Sequence, residues 1–277
     1  MNLNIAGLAL VPLLALHVLN ASADATLDKL NERHRVSVGV MLTGLPFGTL
    51  DPKTQQPVGY NVELANELGK RLGVAVETVA VLPPNRVQFL QQGKVDVLIA
   101  NMQYTDERAQ ILDYPPTPYE QVGGAAVIRK GAGIKQWADL AGKPVCVSQG
   151  SNFIEPLQQY GAQIKAFRSQ AESLLSLRGN GCVAAVHVAP TMRALLNQDE
   201  WAGYESPLPT ELIPSDSVMW VRKGEHDFQA RVDAIIRDWH RSGWLIDLGK
   251  RTGMEPSQAL YALHDRFKDS APLQALP

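Results

Sequence analysis

Short apolar runs alternate with helical stretches from residue 36 to residue 186, the signature of βαβ units around a parallel sheet. Val36 to Met41 reads as a strand. Val62 to Leu72 reads as a helix, because Leu64, Leu68 and Leu72 recur at helical spacing, Asn61 stands at the N-cap position and Gly73 stops the run. Ala75 to Val81 reads as a second strand and Val95 to Ile99 as a third. Between them Asn85 to Gln92 reads as a helix whose start suits Pro83-Pro84.

The same order then restarts. Pro144 to Ser148 is a strand, Gly150-Ser-Asn152 leads into a helix, and Gln163 to Phe167 is a strand. Gln170 to Arg178 is a helix and Cys182 to Val186 a strand. Two such cores, separated by Tyr114-Pro-Pro-Thr-Pro-Tyr119, predict two lobes. A late strand, Val218 to Arg222, and C-terminal helices remain over. The helix from Asp227 to Arg241 carries Phe228, Val232, Ile235, Ile236 and Trp239 on one stripe, and Ser242-Gly243 ends it.

The N-terminus changes the picture. Ile5 to Leu19 is apolar except for Pro12 and His17, and Ala21-Ser-Ala23 fits a small-x-small cleavage site. A bilayer needs about 20 apolar residues, so the run is too short to span one. Residues 1–23 are therefore expected to be a signal peptide cleaved after Ala23, with the mature chain free in the periplasm. A buried N-terminal helix is the alternative, since the segment before Ile5 has no Lys or Arg. The two cysteines, Cys146 and Cys182, fit a disulfide in an exported chain if their strands are parallel neighbours. Two buried free thiols are the other reading.

The chain has 277 residues, 45% apolar and 19% charged, with a net charge of −2. That is an ordinary globular balance with room for two cores, and nothing in it is basic enough for nucleic acid. The six histidines are scattered. There is no Ser-His-Asp arrangement with supporting context, no metal-ligand spacing and no glycine-rich phosphate loop with a lysine, so no catalysis, metal or cofactor is expected.

Three motifs then stand in order: Leu45-Pro-Phe-Gly48, the run Gly59 to Gly73, and Gly93-Lys-Val-Asp-Val-Leu-Ile99 followed by Thr105-Asp-Glu-Arg108. Together they resemble the first lobe of the polar-amino-acid family (family 3) of periplasmic solute-binding proteins of ABC transporters. The resemblance runs from about Leu30 to about Lys250, and it implies a type II two-lobed α/β fold. Each lobe would be a mainly parallel sheet flanked by helices. Residues 24–119 and 218–277 would form lobe 1 and residues 124–213 lobe 2, with hinge crossings near 119–123 and 213–217. It implies capture of a small carboxylate-bearing solute, an amino acid or derivative, by hinge closure and delivery to a membrane permease. A monomer is expected. A non-transport accessory or sensory binding protein is the first alternative, and a cyclohexadienyl-dehydratase-like enzyme the second.

Carried over residue by residue, the resemblance makes Arg108 the anchor of a ligand carboxylate, through a bidentate grip that lysine cannot reproduce. The plain reading is a surface arginine paired with Asp106 or Glu107. Ser151 and Asn152, after Gly150, would offer backbone and side-chain donors at a helix start, or simply cap it. Phe47 would pack on the ligand's carbon skeleton, although Gly44 stands where a second aromatic is common in the family. Asn101 and Gln103 would meet an uncharged polar group or cap their own turn. The family's ammonium-binding aspartate is replaced by Val188, beside His187, which would touch the ligand or else be a satisfied structural histidine. Either Glu155 or Glu120 substitutes for that aspartate, or the ligand is not a standard α-amino acid.

Overall fold

The computed structural model describes residues 24–273, so the expected signal peptide and its cleavage site lie outside the described residues. Helix α1 (Ala25–Arg33) leads into β1 (Arg35–Val40), and a short hairpin of β2 (Thr49–Leu50) and β3 (Pro57–Val58) precedes α2 (Tyr60–Leu72). Then come β4 (Ala75–Ala80), α3 (Arg86–Gln91), β5 (Val97–Ile99), α4 (Asp106–Ile111) and β6 (Leu112–Asp113). Strands β4, β1 and β5 form a parallel three-stranded sheet. Val36, Val38 and Val40 of β1 are fully buried against Leu64 and Leu68 of α2, which is the packing their periodicity demands.

The second sheet is larger. The long strand β7 (Glu120–Arg129) is followed by β8 (Pro144–Ser148), α5 (Ile154–Gln159), β9 (Gln163–Phe167), α6 (Gln170–Arg178), β10 (Ala184–Val188) and α7 (Ala189–Leu196). The sheet is completed by β11 (Tyr204–Glu205) and β12 (Leu212–Ser217) in the order β11-β7-β10-β8-β9, with β12 also paired to β7. Strands β10, β8 and β9 run parallel. Cys146 in β8 and Cys182 just before β10 are joined by a disulfide, their Cα atoms 5.8 Å apart. The chain then returns through β13 (Val221–Arg222), which pairs with β6, to α8 (His226–Ser242), α9 (Trp244–Thr252) and α10 (Gln258–Phe267). Phe228, Val232, Ile235, Ile236 and Trp239 of α8 are all fully buried. Among the described residues no helix is long and apolar enough to cross a membrane.

Two strands carry the chain between the sheets, side by side. Ser217 of β12 sits opposite Glu120 of β7, and Asp216 opposite Gln121. Neither strand was legible as such in the sequence. Asn61 also differs from expectation. Gly59 occupies the N-cap of α2, and Asn61 lies inside the helix, fully buried, donating from Nδ2 to Asn101 Oδ1 at 2.6 Å. A helical polar residue on the buried face needs such a partner, because an unsatisfied amide there costs about 1–3 kcal/mol.

Glu120, at the start of β7, is 2% exposed. Burial pushes its carboxyl up from 4.5 to about 7, against the Ser257 hydroxyl and the Gln121 amide, which both donate to it. Burial therefore favours the protonated form in the folded state. Its stability advantage is complete below pH 4.5 and is lost as the pH rises towards 7. Glu120→Gln is expected to remove this loss, so the variant should gain on wild type by roughly 3 kcal/mol between pH 4.5 and 8. Urea unfolding at both pH values checks this; a constant difference between the two proteins would refute it.

Candidate functional site

The loops that leave the carboxyl ends of β1, β4, β5, β8 and β9 converge on one cleft, the place where open α/β sheets hold ligands. One wall brings Met41, Pro83, Arg86, Asn101 and Gln103 from the first half of the chain. The other brings Ser148, Ser151, Asn152 and Phe153 from the turn after β8, with His187 and Val188 at the end of β10. The space between the walls is ≈ 40 Å³, about enough for three waters, so the walls nearly meet.

Arg108 stands at the edge and crosses the cleft. Its Nη1 donates to the Gln103 carbonyl, and its Nη2 donates to the Gly150 carbonyl of the opposite wall at 2.8 Å. Among the described residues it makes no ion pair with Asp106 or Glu107. Thr105 caps α4, its hydroxyl accepting from the Arg108 amide at 3.2 Å, which fixes where the guanidinium starts from. Burial lowers the Arg108 pKa to about 10, and Glu107 opposes the change, so the side chain stays cationic at neutral pH.

Arg86 is the residue that the sequence reading missed. It is 5% exposed, lines the cleft, and donates from Nη1 to the carbonyls of Ala100 (2.7 Å) and Asn101 (3.3 Å). Burial, with repulsion from Arg108 added to it, lowers its pKa to about 9. The available signal was its spacing: Arg86 and Leu90 are one helical turn apart and are the two buried residues of α3. A cation on the core face of a helix, with no acid at helical spacing, demands a reason.

The remaining predicted residues divide. Asn101, Gln103, Ser151, Asn152 and His187 all line the cleft. Gln103 is 2% exposed, and among the described residues its Nε2 has no partner; the Asn152 Nδ2 across the cleft is also buried without one. Phe47 lies elsewhere. It is buried in the core, edge-on to Tyr60 with ring centroids 6.3 Å apart, and the aromatic ring on the cleft wall is Phe153. The turn after β8 also differs from expectation. Helix α5 starts only at Ile154, the Ser151 amide bonds back to the Ser148 carbonyl, and Ser151 Oγ accepts from the Phe153 amide. Gly150 thus presents a carbonyl to Arg108 rather than an N–H to an anion.

His187 is 6% exposed, and its Nε2 lies 2.8 Å from the Ser173 hydroxyl. Burial drives its pKa down to about 3, so the imidazole is neutral. Neither proposed replacement acid reaches the cleft. Glu155 is exposed on α5, beside Gln159, and Glu120 is held by Ser257 at the start of α10.

This fold and cleft define a two-lobed binding protein. The model of the bacterial extracellular solute-binding proteins, family 3, matches residues 36–252, and the chain belongs to that family. It is 26% identical over 248 residues to the L-glutamate/L-aspartate-binding protein of Pseudomonas aeruginosa, a match covering 83% of this chain and 80% of that one. It also resembles a crystal structure of a mutant of ArgBP from T. maritima. That match has a TM-score of 0.76 at 26% identity and covers 82% of this chain and 99% of that one. The ancestral amino acid-binding protein AncCDT-1, a precursor of cyclohexadienyl dehydratase, has a TM-score of 0.73 at 25% identity, covering 82% and 98%.

Proposed function

We propose that this protein is a periplasmic capture component of an ABC importer. It holds a small carboxylate-bearing solute in the cleft and presents it to a membrane permease. One observation carries the reading: the Arg86 guanidinium and two amide donors unpartnered among the described residues, Gln103 Nε2 and Asn152 Nδ2, line one small space whose edge the Arg108 guanidinium spans. A buried cation served only by carbonyls is costly until a full negative charge joins it, and a carboxylate accepts from several donors at once.

Residues 24–119 and 218–277 form one lobe in this reading and 124–213 the other, turning about β7 and β12. A ligand touching both walls binds the closed arrangement better than the open one, which is what drives closure. Arg108, Gln103 and Asn152 are the contacts on which that difference depends. The cleft suits binding rather than catalysis. His187 and Arg86 are the titratable residues on its walls, and neither gains or loses a proton readily near neutral pH.

A thermal-shift screen of amino acids, short-chain mono- and dicarboxylates and N-acylated amino acids tests the reading. A true ligand at ~100 times its Kd should stabilise the protein by about 2.7 kcal/mol. If only solutes without a carboxylate raise the melting temperature, the reading fails.

A further inference from the structure

The charge content of the cleft narrows the ligand class. Thirteen residues line it and none is Asp or Glu. Among the described residues, every hydrogen bond that the two guanidiniums make goes to a backbone carbonyl or to the Met41 sulfur. The lining therefore carries one positive charge, Arg86, and no negative one, and Arg108 adds a second cation at the edge, with Glu107 beside it outside the lining.

A free ammonium on the ligand would be a third cation in this space. It would need three hydrogen-bond acceptors, because it has donors only. Asn101 Oδ1 already accepts from Asn61, and His187 Nε2 is committed to Ser173. Gln103 and Asn152 instead leave donors unmet. Val188, at the end of β10, meets the cleft with two methyl groups and is 7% exposed. The exposed Glu155 and the Ser257-bound Glu120 lie outside the lining.

We infer that the cleft selects small organic acids with no free ammonium group, and that dicarboxylates match it best, one carboxylate for each of Arg86 and Arg108. This inference rests on the reading of the cleft as a carboxylate site and specifies its ligand. It separates this protein from a receptor for zwitterionic amino acids, in which a carboxylate would have to face the ammonium.

The test is isothermal titration of the exported, disulfide-intact protein with two pairs: succinate against L-aspartate and glutarate against L-glutamate. Within each pair the molecules differ only by an α-ammonium. The dicarboxylate is expected to bind at least ~tenfold tighter in one pair or both, a difference of about 1.4 kcal/mol. Equal or tighter binding of the amino acid overturns the inference and leaves the carboxylate site standing. If none of the four binds with a Kd below ~1 mM, the inference falls; failure of a wider carboxylate panel would then remove the underlying reading too. Val188→Asp supplies the missing charge and should swing the ratio towards L-aspartate. A folded variant, shown by its melting curve, with an unchanged ratio also counts against the inference. The wild-type titration decides the question even if that variant does not fold.

Discussion

Arg108→Ala is expected to weaken binding of a carboxylate ligand by roughly ten- to a hundredfold, the 1.5–3 kcal/mol of a charged hydrogen bond, while the fold survives. The side chain lies at the cleft edge, and its partners are the carbonyls of Gln103 and Gly150. Removing it unlocks the two walls without opening a core cavity. Arg108→Lys should recover little, because an ammonium cannot make two parallel bonds to a carboxylate. Titration of both variants against the best ligand from the screen, with a melting curve for each, decides this. An alanine isotherm within about threefold of wild type would sink the anchoring role.

The second large effect concerns the disulfide. Cys146 and Cys182 are 36 residues apart in the chain, and a loop of that size is worth between about 3 and 4 kcal/mol through restriction of the unfolded state. Replacing both by serine should therefore lower the melting temperature by roughly 10 °C. The loss should be felt around Leu174, Leu177, Met192 and Trp201, which pack with the two cysteines in a separate core cluster. Melting curves of the disulfide-bonded protein with and without reductant supply the measurement. Coincident curves, with reduction confirmed by intact mass, would refute it.

The sequence was most readable where burial follows a simple period. The helices α2 and α8 and the parallel strands β1 and β8 stand within one or two residues of their expected places, because an apolar stripe or run dictates each, and α6, β4 and β9 fall equally close although β4 and β9 bury no residue. The connecting strands β7 and β12 were not readable. β7 carries two glycines and opens on Glu120, and β12 reads Leu-Ile-Pro-Ser-Asp-Ser, so neither shows clean alternation; pairing with each other makes them strands. The site divides in the same way. Asn101, Gln103, Ser151 and Asn152 follow strand ends and His187 stands at one, and a strand end is where the sequence says ligands go. Arg86 was hidden at the first position of a helix, where a charged residue reads as solvent-facing. Phe47 misled for the opposite reason. The family resemblance made it a platform for the ligand, but the ring turns inward onto Tyr60.

The segment carrying Gln103 is also part of the support for the crossing strand. Gln103 bridges to Ser217, the Tyr104 amide donates to the Asp216 carbonyl at 2.8 Å, and the Met102 carbonyl accepts from the Trp220 indole at 2.7 Å. The last residues of β12 are thus sewn to the floor of the cleft, and Arg108 is sewn to Gln103. In the proposed closure, the pivot and the point of touch form a single lever. A solute that tugs on Gln103 pulls at the fulcrum itself, so occupancy needs no relay through the lobe to become motion.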